Sequence, residues 1–107
     1  MILKTWDDVI KIYTEYSKSQ FKDNINQMLA LVSELKSHPE FIHIKPMTSH
    51  AALILKLPNK EKDLCVWAEE VDKFLVYYYR WNQGNTEEIM VDKDLILPTL
   101  IDYLHRM

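Results

Sequence analysis

Three histidines, one cysteine and two carboxylate doublets are the side chains of this sequence best suited to chemistry. His38, His43 and His50 fall close enough together to suggest a zinc or iron site. They lack the H-x-H or H-x-x-x-H spacing that turns two imidazoles toward one metal, and no Asp or Glu is arranged around them as a further ligand. Cys65 stands between Leu64 and Val66, with no basic neighbour to make it a thiolate nucleophile, and reads as a small apolar packing group. Glu69/Glu70 and Glu87/Glu88 could serve as acid–base pairs. Adjacent residues on a strand point to opposite faces, however, so each doublet offers one carboxylate per side. Tyr77, Tyr78, Tyr79 and Trp81 could stack bases, a mode that needs Lys or Arg around the rings, and Arg80 stands alone there. No catalytic residue, no metal and no other cofactor is expected, and the chain does not read as an enzyme.

Binding chemistry is better supplied. Residues 1–83 hold eleven acids and eleven bases, whereas residues 84–107 hold Glu87, Glu88, Asp92, Asp94 and Asp102 against Lys93 and Arg106. The whole net charge of −3 therefore lies in the last quarter. A second acidic stretch, Asp63, Glu69, Glu70 and Asp72, precedes the aromatic run F-L-V-Y-Y-Y-R-W at 74–81. Aromatic anchors framed by charge of one sign suit a surface that captures an oppositely charged protein.

Composition narrows the rest. A chain of 107 residues with 48% apolar content reads as one domain, 1–107, able to bury a core without disulfides. A single cysteine points to a reducing compartment. No signal-peptide pattern opens the sequence, and no uncharged run approaches the ~18 residues of a membrane span, so a cytoplasmic location is expected. Net negative charge without a dense basic cluster argues against direct binding to nucleic acid or to an anionic membrane. One glycine, Gly84, is too few for a phosphate-cradling loop.

The elements that must position these residues follow from periodicity. Thr5 and Asp8 resemble a capping box, and Trp6, Val9, Ile10, Tyr13 and Tyr16 recur at helical spacing, as do Phe21, Ile25, Met28, Val32 and Leu35. Two helices, or one kinked helix, are expected before Pro39. Alternation then predicts strands at 41–45, with Ile42 and Ile44 on one face, at 51–57, at 64–69, at 74–81 and at 86–91. Turns are expected at 46–49, 70–73 and 82–85. A last helix, capped by Asp92 or Asp94 and with Pro98 in its first turn, buries Leu97, Leu100, Ile101 and Leu104. The expected architecture is α+β: an antiparallel β-meander of about five strands with an N-terminal helical region and a C-terminal helix packed on it.

In such a meander the turn carrying Glu69, Glu70 and Asp72 meets the strand exit carrying Asp92 and Asp94, while Asp63, Glu87 and Glu88 fall at the opposite edge. Neither face of the aromatic strand is polar: Phe74, Val76 and Tyr78 alternate with Leu75, Tyr77, Tyr79 and Trp81. Cover for the second face is expected from the split helical region, from a second copy of the chain, or from a different protein.

The C-terminal third, F-L-V-Y-Y-Y-R-W, then N-Q-G-N, then E-E-I-M-V-D-K-D-L-I-L-P-T-L-I-D-Y-L, resembles small immunity proteins of bacterial polymorphic-toxin and contact-dependent inhibition systems. The Trp6-Asp7-Asp8 opening is compatible with them. The resemblance covers residues 64–107 and implies a cytoplasmic antitoxin that binds and blocks the toxin domain of its own system, often a nuclease with a basic groove. The contact set expected from the residues is Glu69, Glu70, Asp72, Tyr77, Tyr79, Trp81, Asp92 and Asp94. Two other readings remain: a small dimeric chaperone or adaptor for a secreted protein, and a metal-dependent enzyme using the His38–His43–His50 region. Monomer and homodimer are both open.

Overall fold

The structure, a computed structural model, describes residues 5–16, 22–49, 52–56, 63–80 and 84–105. Its first helix, α1 (Trp6–Tyr16), is started by a reciprocal cap. The Thr5 hydroxyl accepts the Asp8 N–H at 3.1 Å, and the Asp8 carboxylate accepts the Thr5 N–H at 3.2 Å, satisfying two backbone donors that a helix start leaves open. Helix α2 (Lys22–Ser37) carries Asp23 in its first turn and Lys36 in its last, both favourable to the helix dipole. Lys36 also reaches Asp7 of α1 at 2.6 Å. The chain thus runs as two helices up to Pro39.

Beyond α2 the structure corrects the expected strand at 41–45 and the turn at 46–49. Residues 39–43 are turns: the His38 carbonyl accepts both the Phe41 and the Ile42 N–H, and the Phe41 carbonyl accepts the Ile44 N–H, each at 3.0 Å. These i to i+3 and i to i+4 bonds bury Phe41 and Ile44, three apart, and leave Ile42 51% exposed. The apparent alternation of 42 and 44 was therefore a turn of period three. The first strand is instead β1 (Lys45–Ser49), through Pro46. It lies at the sheet edge, where a residue without an N–H is tolerated.

Strands β2 (Ala52–Lys56), β3 (Asp63–Glu70), β4 (Lys73–Arg80) and β5 (Gly84–Asp92) complete a five-stranded sheet in the order β1-β2-β3-β4-β5, every pair antiparallel. The expected α+β meander is the fold. After β5, one 3₁₀ turn at Lys93–Leu95 leads into α3 (Ile96–His105). Pro98 does lie in the first turn of α3, but Asp92 makes no side-chain cap bond. The buried stripe of α3 is Ile96, Leu100 and Tyr103, with Leu97, Ile101 and Leu104 only partly covered. That rotation places Tyr103 edge-on to Tyr78, centroids 5.1 Å apart.

All three helices pack on one face. Trp6, Val9 and Tyr13 of α1, Ile25, Met28, Val32 and Leu35 of α2, and Ile96, Leu100 and Tyr103 of α3 share one cluster with Leu53, Leu55, Leu64, Val66, Phe74, Val76 and Tyr78. The Trp6 indole N–H donates to the Phe41 carbonyl at 3.2 Å and pins α1 to the turn region. No described helix is long and apolar enough to cross a membrane.

Candidate functional site

Strand register decides what the other face displays. Leu64, Val66 and Tyr78 point to the helices, so Cys65, Leu75 and Tyr77 point away, whereas Trp67, beside the irregularity in β3, packs against the helix-side cluster. Met47, Ile54 and Cys65 pair across β1, β2 and β3, and Tyr77 packs beside them as a second, smaller cluster. The next row of ladder partners is Trp67, Leu75 and Met90, of which Leu75 and Met90 extend this face while Trp67 packs against the helix-side cluster. Among the described residues, no helical side chain belongs to the smaller cluster. The expectation that the split helices cover both faces is therefore corrected. Both helices need the same large apolar face, and the short turn region after α2 returns the chain along its edge.

Polar groups border this apolar field in a specific order. Asp63 is buried, 8% exposed, and its carboxylate takes Lys56 Nζ at 2.8 Å. It lies at the edge opposite the Glu69–Asp72 turn, as expected, and the cross-strand lysine of β2 neutralises it there. Glu88 is relocated. A register shift between Val76 and Tyr78 inserts an extra β5 residue opposite Tyr77, and this bulge brings Glu88 toward the phenol instead of the far edge. Burial first, then Cys65, then the carboxylates of Glu88 and Glu69 push the Tyr77 phenol up to about 12. The Tyr77 hydroxyl beside Cys65 favours the thiolate and pulls that group the other way. Burial, with some help from Asp63, still raises that thiol to about 12, so it stays protonated.

The β3–β4 turn and the exit of β5 sit side by side. Lys73 pairs with Asp92, the Lys93 N–H donates to the Asp72 carbonyl at 2.8 Å, and Lys93 Nζ lies 3.4 Å from the Asp72 carboxylate. Gln27 of α2 fixes the turn: its side-chain oxygen accepts the Asp72 N–H at 2.9 Å, and its amide donates to the carbonyls of Lys73 and Glu70 at 3.0 and 3.3 Å. Asn24 donates to the Ala68 carbonyl at 2.6 Å. These bonds hold Asp72 at φ 62°, a left-handed conformation that Asp tolerates better than most residues. Beside the turn opens a cleft of about 490 Å³ lined by Asp23, Asn24 and Gln27 of α2, Val71 and Asp72 of the turn, and Lys93.

No protein-family model, curated protein or solved structure matches this chain. The site therefore rests on its own geometry.

Of the eight contact residues expected from sequence, Glu69, Glu70, Asp72, Asp92 and Asp94 are exposed, on segments the turn and the β5 exit bring together. Lys73 and Lys93 intervene among them. Tyr77 is half-buried on the open face. Tyr79 stands opposite Asp63 and Asn85 in the ladder, its side chain outside the described residues, as is Trp81 altogether. Sequence reasoning left Leu75, Glu88 and Met90 out of the set; alternation marks Leu75, but only the bulge places Glu88. Among the described residues no His, Cys, Asp or Glu cluster could hold a metal. His38 Nδ1 accepts the Glu40 N–H, His43 is exposed, His50 lies outside the described residues, and His105 instead contacts Glu40 at 2.9 Å.

Proposed function

We propose that this chain is an immunity protein: a cytoplasmic, non-enzymatic inhibitor that occludes a cognate bacterial toxin domain, with a basic, nuclease-type surface as its target. The observation that carries this reading is the open sheet face, where Leu75, Tyr77 and Met90 are bordered by Glu69 and Glu88 and run toward the acidic rim at Asp72, Asp92 and Asp94. A half-buried ring and exposed apolar groups supply affinity once desolvated, and the surrounding carboxylates speed encounter and reject partners of the wrong sign. Protection needs nanomolar binding, about −12 kcal/mol, which a standard-size interface with two or three such anchors reaches.

Co-expression with the toxin domain encoded beside its gene tests this. Growth is restored and a one-to-one complex is recovered if the reading holds. Continued killing with no complex overturns it. A stable homodimer that buries Leu75 and Met90 would favour the chaperone reading, because the same apolar field would then be occupied by a second copy.

A further inference from the structure

The two edges of the sheet are built differently. β1 is five residues long and carries Lys45 and Pro46, the means by which proteins blunt an edge against unwanted pairing. β5 is nine residues long with neither proline nor lysine, and among the described residues β4 is its only strand partner. After the bulge, four consecutive pairs, from Ile89 with Val76 to Asp92 with Lys73, keep regular register. Along that stretch Ile89 and Met90 are 41% and 44% exposed. They are consecutive residues, so apolar surface is open on both sides of this edge.

We propose that the outer edge of β5 at 89–92 is a strand-addition site for an extended, cationic segment of the partner, alternating apolar residues with Lys or Arg. A strand added there would pair with the backbone groups on the side of β5 away from β4, seat its apolar side chains beside Ile89 on one face, and on the other set its basic ones near Glu88 and Asp92 with their aliphatic stems along Met90. Charge selects this occupant over a second copy. The self-pairing register that puts Met90 against Met90 sets Glu88 against Asp92 twice, and like charges directly opposed destabilise a ladder. The inference rests on the proposed cationic partner and specifies how that partner binds.

The test uses the full chain and three capped heptapeptides: alternating Lys/Val, alternating Glu/Val, and Lys/Val with alternate backbone nitrogens methylated. Amide hydrogen exchange and NMR shifts are followed at up to millimolar peptide. The Lys/Val peptide is expected to slow exchange of the outward amides within 88–92 at least tenfold, the other two peptides leaving them unchanged. Glu88→Lys with Asp92→Lys should weaken Lys/Val binding at least tenfold, and Met90→Lys, placed at an exposed position, should do so in a folded protein. The proposal is overturned if Lys/Val does not bind, if its shifts map to the Asp23–Asp72 cleft, if the methylated peptide binds equally, or if free protein is a dimer with those amides already protected. Failure here with toxin protection intact removes only the β5 mode. Peptide binding without protection removes only the immunity role.

Discussion

The two faces of this sheet come from the same strands yet are finished differently. On the helix side, Leu53, Leu55, Leu64, Val66 and Val76 are all fully buried beneath three helices. On the other side the strands supply a buried strip, Met47, Ile54 and Cys65, that grades outward into half-buried Leu75 and Tyr77 and exposed Met90. The first face is what keeps the chain folded. The second carries more apolar surface than folding requires, increasing toward β5 where the carboxylates gather. The contrast teaches that stability and recognition are separable here, and each prediction presses on that separation.

The largest effect is expected in the helix-covered core. Leu64→Ala removes a fully buried side chain and should cost about 2–5 kcal/mol in urea unfolding, whereas Leu75→Ala, its counterpart on the open face, should cost about 1 kcal/mol or less. Equal losses would erase the distinction between faces. Next comes the thiol. With its pKa raised from 9.0 to about 12, Cys65 should react with iodoacetamide at pH 8 at least ~100-fold more slowly than in unfolded protein. The sign for stability follows: the unfolded chain releases this proton from about pH 9 while the fold retains it, so Cys65 and Tyr77 contribute fully below that pH. Their contribution is lost as pH rises toward 12, and denaturant midpoints should fall across that window.

Smaller again, Gln27→Ala strips the β3–β4 turn of three hydrogen bonds and should cost about 1–3 kcal/mol, with faster amide exchange confined to residues 70–73. The smallest stability effect belongs to Glu69→Lys with Glu88→Lys, both exposed: about 0.5 kcal/mol or less in unfolding, set against a large change in binding.

Much of the frame was legible because periodicity is written in local sequence. The Thr5/Asp8 cap, the two-helix start, the order of strands 52–56 through 84–92 and the meeting of the Asp72 turn with the Asp92 exit all follow from spacing and topology. Three features were not. The Phe41/Ile44 turn imitates alternation, because Ile42 and Ile44 are apolar whichever way they point. Lys56 neutralises Asp63 only once β2 and β3 are in register, so a linear charge count leaves that pairing out. Glu88 reaches Tyr77 through a bulge that no residue type announces, which is why it was assigned to the far edge.

The central claim, that the open face and its carboxylates form the partner-binding surface, is tested most directly by stopped-flow association with the toxin domain proposed as partner, comparing the native chain with the Glu69→Lys/Glu88→Lys variant across salt. The account predicts association at least tenfold slower at low salt, a flattened salt dependence and an unchanged unfolding midpoint. Native rates and native salt dependence in the folded variant would contradict it.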